Sequence, residues 1–200
     1  MRARACAAKN YSNSNLMIAN ADNALLFLVT SLLDLVMSLF LLRLLLQLVR
    51  ADFYSPISQM VWKLSQPVCG PLARLLPRWR RLDLGAALVL LLLAMLYIQM
   101  VAAILPVPVG ALETLLLGLL KILSLTCYIY TLSLFAMALL SWVGPGVSNP
   151  AANVLWSLNE PLLRPVRRVL PPVSGLDLSP LVVMLVLMFV NRLLPLGVFQ

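Results

Sequence analysis

SPISQMVWKLSQPVCGPLARLLPRWRRLDLGA at residues 55–86 and NPAANVLWSLNEPLLRPVRRVLPPVSGLDLSP at residues 149–180 are two copies of one segment. A shift of 94 positions superimposes them without a gap: Pro56 on Pro150, Trp62 on Trp156, Pro67 on Pro161, Pro71 on Pro165, Arg74 on Arg168 and Asp83 on Asp177. A long apolar run precedes each copy and another follows it. An internal repeat sets the architecture before any single element does. The unit is helix, basic proline-punctuated segment, helix. The fold class expected is an all-α membrane protein with four transmembrane helices in two parallel repeats.

Composition agrees. The chain is 62% hydrophobic and 11% charged, and it has no histidine. A soluble domain of this size could not hide so much apolar surface. Cys6, Cys69 and Cys127 are scattered and imply no disulfide framework. Without histidine, the usual His-ligated zinc and haem sites are excluded. The net charge of +8 is no nucleic-acid footprint, because nine of the 15 Lys/Arg lie in two loops between apolar runs.

A membrane-spanning helix needs about 20 apolar residues. Four stretches qualify: 24–49, 84–105, 121–143 (with Leu112 as the alternative start) and 178–198. Residues 1–23 form a polar tail and 106–120 a connector, so the repeats are 24–105 and 121–200. One loop carries Arg50, Lys63, Arg74, Arg78, Arg80 and Arg81, the other Arg164, Arg167 and Arg168; the connector around Pro106–Ala111 carries none. The positive-inside rule makes both basic loops cytoplasmic and both termini periplasmic. Each repeat holds two spans, so a parallel pseudo-two-fold along the membrane normal is expected. Arg2, Arg4 and Lys9 conflict with that orientation, unless translation starts at Met17.

The loop segments 55–83 and 149–177 read as amphipathic helices on the inner leaflet. Ser55-Pro56 and Asn149-Pro150 place a capping side chain before a proline at the first helical position. Val154, Leu155, Leu158 and Leu162 share one face, and Asn153, Ser157, Glu160 and Arg164 the other. Trp62 and Trp156 suit the headgroup level. Pro67, Pro71, Pro161 and Pro165 are expected to break these helices and turn the chain. Asp83 is expected to cap the second span and Ser179 the fourth, with Asp177 a second cap or a partner for an arginine.

Inside the membrane, Thr30, Asp34 and Ser38 share a face, and the shift puts Ser124 and Tyr128 in the places of Thr30 and Asp34. A mid-membrane acid costs at least about 2.5 kcal/mol, so Asp34 is expected to face the interior and to pair with Tyr128 across the pseudo-two-fold. Arg43 is expected to snorkel to the cytoplasmic surface. Asn191-Arg192 could serve either the outer interface or the interior.

Several motifs carry a family resemblance: Ser141-Trp142, Asn149-Pro150, Leu158 to Pro161 (LNEP), Leu163-Arg164-Pro165, Arg167-Arg168 with Pro171-Pro172, and Asp177 to Pro180 (DLSP). With Leu42-Arg43 and Leu48 to Tyr54 (LVRADFY) they resemble the YggT/YlmG family in its two-repeat proteobacterial form. The first copy departs from the pattern at Gln66, Gly70 and Gly85-Ala86, and Met137 lacks the arginine of Arg43. The resemblance implies a small bacterial inner-membrane protein tied to osmotic and ion homeostasis or to cell division. Plastid relatives include a factor for haem attachment to a cytochrome.

The sequence shows no nucleophile–base–acid set, phosphate loop or metal-ligand cluster, so neither an enzyme nor a cofactor is expected. The residues expected to bind lipid or a partner are Trp156, Glu160, Arg164, Arg167, Arg168 and Asp177, with Trp62 and Arg74 in the first copy. Asp34, Tyr128, Arg43 and Asn191 form the intramembrane polar set. The function expected is a scaffold or assembly protein whose partners are anionic lipids, a membrane or cytoplasmic protein, or a second copy of the chain. The alternative is an oligomeric ion channel or transporter subunit using Asp34.

Overall fold

The computed structural model describes residues 2–49, 55–75, 83–105, 107–143, 150–170 and 177–199; side chains are described for 23–49, 55–71, 83–105, 107–140, 152–170, 177–197 and 199. Six α-helices follow in order: α1 Arg2–Val49, α2 Pro56–Leu75, α3 Leu84–Ile104, α4 Ala111–Val143, α5 Pro150–Val169 and α6 Ser179–Leu193, with a short 3-10 turn at Gly197–Phe199. Among the described residues there is no strand.

Three segments are long and apolar enough to cross a membrane: Asn23–Val49, Leu84–Ile104 and Ala111–Leu140. Glu113 closes the start of α4, its Oε2 accepting from Gly110 N at 3.1 Å. That helix begins at Ala111, beside the alternative start Leu112 and ten residues before Lys121. The fourth span is also shorter than 178–198, since α6 has 15 residues, or about 22 Å at 1.5 Å per residue. The cause is local. Leu194 precedes Pro195 and takes an extended conformation, ψ 126°, as a residue before proline must. Gly197, at φ 52°, then turns the chain back, and Leu196 and Phe199 are buried against the core.

α1 packs on α3 and α4 on α6, the same arrangement in both repeats. α3 also lies along α4, where Gly118 allows a close approach: a Cβ there would sit 3.6 Å from that of Ala94. The pair related to it by the shift, α6 with α1, does not pack comparably, so the two-fold is broken. A short connector keeps α3 beside α4, and no connector joins α6 to α1. α2 and α5 touch each other, so both repeats present their amphipathic helices at the same end.

The four prolines do not break α2 and α5, which run through them. A four-residue spacing stacks Pro67 over Pro71 and Pro161 over Pro165, and all four are exposed. The hydrogen bonds they remove lie on the outer face, and the inner ladder is intact. That inner face holds the helix down through Ser58, Val61, Ser65 and Cys69 in α2, and Val154, Leu158, Asn159 and Leu163 in α5, all buried.

Candidate functional site

At the end covered by α2 and α5, each repeat ties its second span down through one carboxylate. In the first copy Asp83 Oδ1 accepts from Ala86 N at 3.4 Å and caps α3. Its Oδ2 receives Arg43 from α1 at 2.6 Å, with both side chains 3% exposed. The same guanidinium donates to Ser65 Oγ of α2 at 2.7 Å and lies 3.9 Å from the ring centre of Trp62. Gln47 Oε1 accepts from Asp83 N at 3.2 Å. One acid and one arginine thus join α1, α2 and α3. Arg43 does not snorkel, because a fixed carboxylate, a hydroxyl and an aromatic face lie within its reach and satisfy the charge inside.

In the second copy Met137 stands in the place of Arg43, yet the acid keeps an arginine. Arg167 Nε of α5 reaches Asp177 Oδ2 at 2.8 Å. Ala73 stands in the place of Arg167 in the first copy. The equivalent carboxylates therefore draw their cation from different helices. Ser179 is the first residue of α6 and not its cap; the N-cap position is Leu178, which offers no side-chain bond, and Asp177 Oδ1 accepts from the first helical N–H, Ser179 N, at 2.9 Å. Burial pushes the Asp177 carboxyl up, but hydrogen bonds from Ser179 and the Arg167 charge outweigh it and hold the carboxyl below the usual carboxylate range.

Glu160 extends this network. It receives Arg167 at 3.2 Å and Arg164 at 3.4 Å, and the Arg167 guanidinium sits 5.5 Å from the ring centre of Trp156. Two acids thus balance two of the three arginines, leaving Arg168 exposed and without a partner among the described residues. The Arg74 side chain and residues 76–82, which include Arg78, Arg80 and Arg81, lie outside the described residues, as do Asn149 and residues 171–176.

Two grooves open on the proline faces. A cavity of about 740 Å³ is lined by Trp62, Lys63, Gln66, Pro67, Gly70 and Pro71. A second, of about 350 Å³, is lined by Val49 with Ser157, Glu160, Pro161 and Arg164. The shift maps Lys63, Gln66, Pro67 and Gly70 onto those last four, so the grooves are one feature occurring twice.

Within the bundle, Asp34 does not meet Tyr128, which is 61% exposed on the outer face. Its partner is Lys121, with Nζ 3.1 Å from Oδ1 and 3.3 Å from Oδ2. The ammonium also lies 4.0 Å from the ring centre of Tyr97. Asp34 and Lys121 each lie at least ten residues inside the apolar segments Asn23–Val49 and Ala111–Leu140. The sequence reading missed Lys121 by treating it as the edge of a span. The available signal was a lone acid and a lone lysine in separate apolar runs, which must neutralise each other in hydrocarbon. Asn191 faces inward, accepting from Ser124 Oγ at 2.7 Å, while Arg192 is exposed. Among the described residues no cluster of three or more potential ligands could hold a metal.

The sequence model of the family described as CCB3/YggT matches residues 22–105 and again 116–199, once per repeat. An uncharacterized protein of the proC 3' region in Vibrio alginolyticus is 39% identical over 175 residues, covering 86% of this chain and 94% of that one. The uncharacterized protein YggT of Escherichia coli K12 is 38% identical over 172 residues, covering 84% and 88%. An uncharacterized protein of Pseudomonas aeruginosa is 33% identical over 174 residues, covering 86% and 88%. No solved structure matches.

Proposed function

This chain belongs to the CCB3/YggT family, and on that premise we propose that it is a bacterial inner-membrane scaffold or assembly protein. Its paired helices α2 and α5 form a cytoplasmic platform for lipid headgroups and one protein partner, serving osmotic or ion homeostasis or cell-division organisation. The observation that carries this reading is the duplicated groove-bearing face at one end of the bundle. The reading assigns no catalytic residue.

The electrostatics shape the platform. Each free basic residue near an anionic surface contributes about 1 kcal/mol. Since Glu160 and Asp177 hold Arg164 and Arg167, the second copy offers roughly one such charge, Arg168. Glu160, Arg167 and Asp177 then act as the frame, and Arg168, Lys63 and the grooves as the contact surface.

The rival, an ion path through Asp34, has less support. That acid is already neutralised by Lys121, and such a pair reads as packing. Crosslinking in native membranes followed by mass spectrometry tests the scaffold: crosslinks from Lys63 to one recurring protein are expected. Ion flux through liposomes holding the purified chain, abolished by Asp34→Asn in a folded protein, would replace the scaffold with the channel.

A further inference from the structure

The grooves have a feature that charge alone does not describe. Proline has no N–H. In α2, Pro67 and Pro71 therefore leave the carbonyls of Lys63 and Pro67 without their intrahelical donor. In α5, Pro161 and Pro165 do the same to Ser157 and Pro161. All four carbonyl-bearing residues line the grooves: Lys63 and Pro67 the first, Ser157 and Pro161 the second. Each groove thus has two acceptors without an intrahelical donor, about 6 Å apart along the helix; the first adds an exposed cation, Lys63, whereas in the second the cation, Arg164, is already paired with Glu160.

Such a face complements a ligand that carries a donor and an anion together. A freed carbonyl bonds an ammonium more strongly than a neutral hydroxyl, because the bond is charge-assisted. The neighbouring cation suits a phosphate. In α2 a third element is present: Ile57, Met60, Leu64 and Val68 recur along the adjoining strip and are all exposed, a surface for acyl chains next to the amphipathic ring of Trp62. In α5 the corresponding Val154 and Leu158 are buried and Leu162 is half-buried, so that groove lacks this strip.

We propose that the α2 groove binds a phospholipid whose headgroup carries both a primary ammonium and a phosphate, the phosphoethanolamine class. The ammonium donates to the carbonyls of Lys63 and Pro67, and the phosphate meets the Lys63 side chain. The α5 groove is the same headgroup site in weaker form. This rests on the reading of the platform as a lipid-binding surface and names its ligand.

The test uses the full chain in detergent with three lipids of identical acyl chains: phosphatidylethanolamine, phosphatidylcholine and phosphatidylglycerol. Trimethylation removes the N–H donors, and the glycerol headgroup removes the cation. Native mass spectrometry after graded delipidation reads lipid retained per chain. Retention of phosphatidylethanolamine at least tenfold above the other two is expected. Pro67→Ala with Pro71→Ala returns N–H donors to both carbonyls and favours the helix, so a folded protein is expected. It should lower that preference to within twofold of phosphatidylcholine while total phospholipid retention stays the same. Equal retention of the three lipids by the unaltered chain, or an undiminished preference in the double variant, overturns the site and leaves a less selective platform. No retention of any of the three overturns both the site and the lipid part of the proposed function.

Discussion

Arg43→Met copies into the first repeat the residue that the second repeat carries at Met137. It leaves Asp83, 3% exposed, without the cation now 2.6 Å away. Removing one partner of a buried pair costs about 3–5 kcal/mol. For a chain of this size each kcal/mol moves the unfolding temperature by about 2–4 °C, so a fall of about 6–20 °C is expected. The second repeat also supplies the remedy. Ala73 occupies the place of Arg167, whose guanidinium reaches the equivalent carboxylate from the amphipathic helix. Adding Ala73→Arg to Arg43→Met should therefore recover about half the loss. That exceeds the roughly 0–1 kcal/mol of an exposed pair because Asp83 is buried. Ala73→Arg alone should add little, since Asp83 already has its cation. The assay is thermal unfolding in detergent, read by a thiol-reactive dye. Cys69 is fully buried beside the clamp, and its thiol is pushed up by burial, which keeps it unreactive until the helices part. An unchanged transition in Arg43→Met, or no recovery in the double variant while it remains folded, would refute the exchange of arginines.

Lys121→Met should destabilise the bundle more than the joint Lys121→Met/Asp34→Asn change, since the single variant strands a half-buried acid within an apolar helix; the same unfolding assay decides it. Tyr128→Phe should leave stability within about 0.5 kcal/mol, as expected for an exposed site; a larger loss would show that the hydroxyl has a partner. The Asp177 carboxyl is held low in the folded chain, so its stabilisation is present above the ordinary Asp value of about 3.9 and is lost as pH falls through the lowered one. Arg167→Gln should flatten that acid limb in a pH series of unfolding midpoints. Ser174→Cys should be shielded from an impermeant thiol reagent in intact cells and Val109→Cys labelled; the reverse would invert the topology.

The amino-acid sequence by itself determined the repeat, the four apolar helices, the amphipathic segments between them and the capping role of Asp83. These follow from composition, periodicity and next-neighbour chemistry, which act within a few residues of the chain. The break before Pro195 was legible by the same rule, and apolar content masked it. Tertiary structure alone decided the partners. Arg43 and Asp83 are 40 residues apart and Asp34 and Lys121 are 87, so no local pattern brings either pair together. Symmetry reasoning misled here: it matched Asp34 with Tyr128 at one depth, but hydrocarbon rewards charge neutralisation over equivalent position, and a long lysine stem spans the offset. The prolines were judged by what they do to an isolated helix. In the folded chain their missing bonds point outward, and the packed inner face keeps α2 and α5 whole.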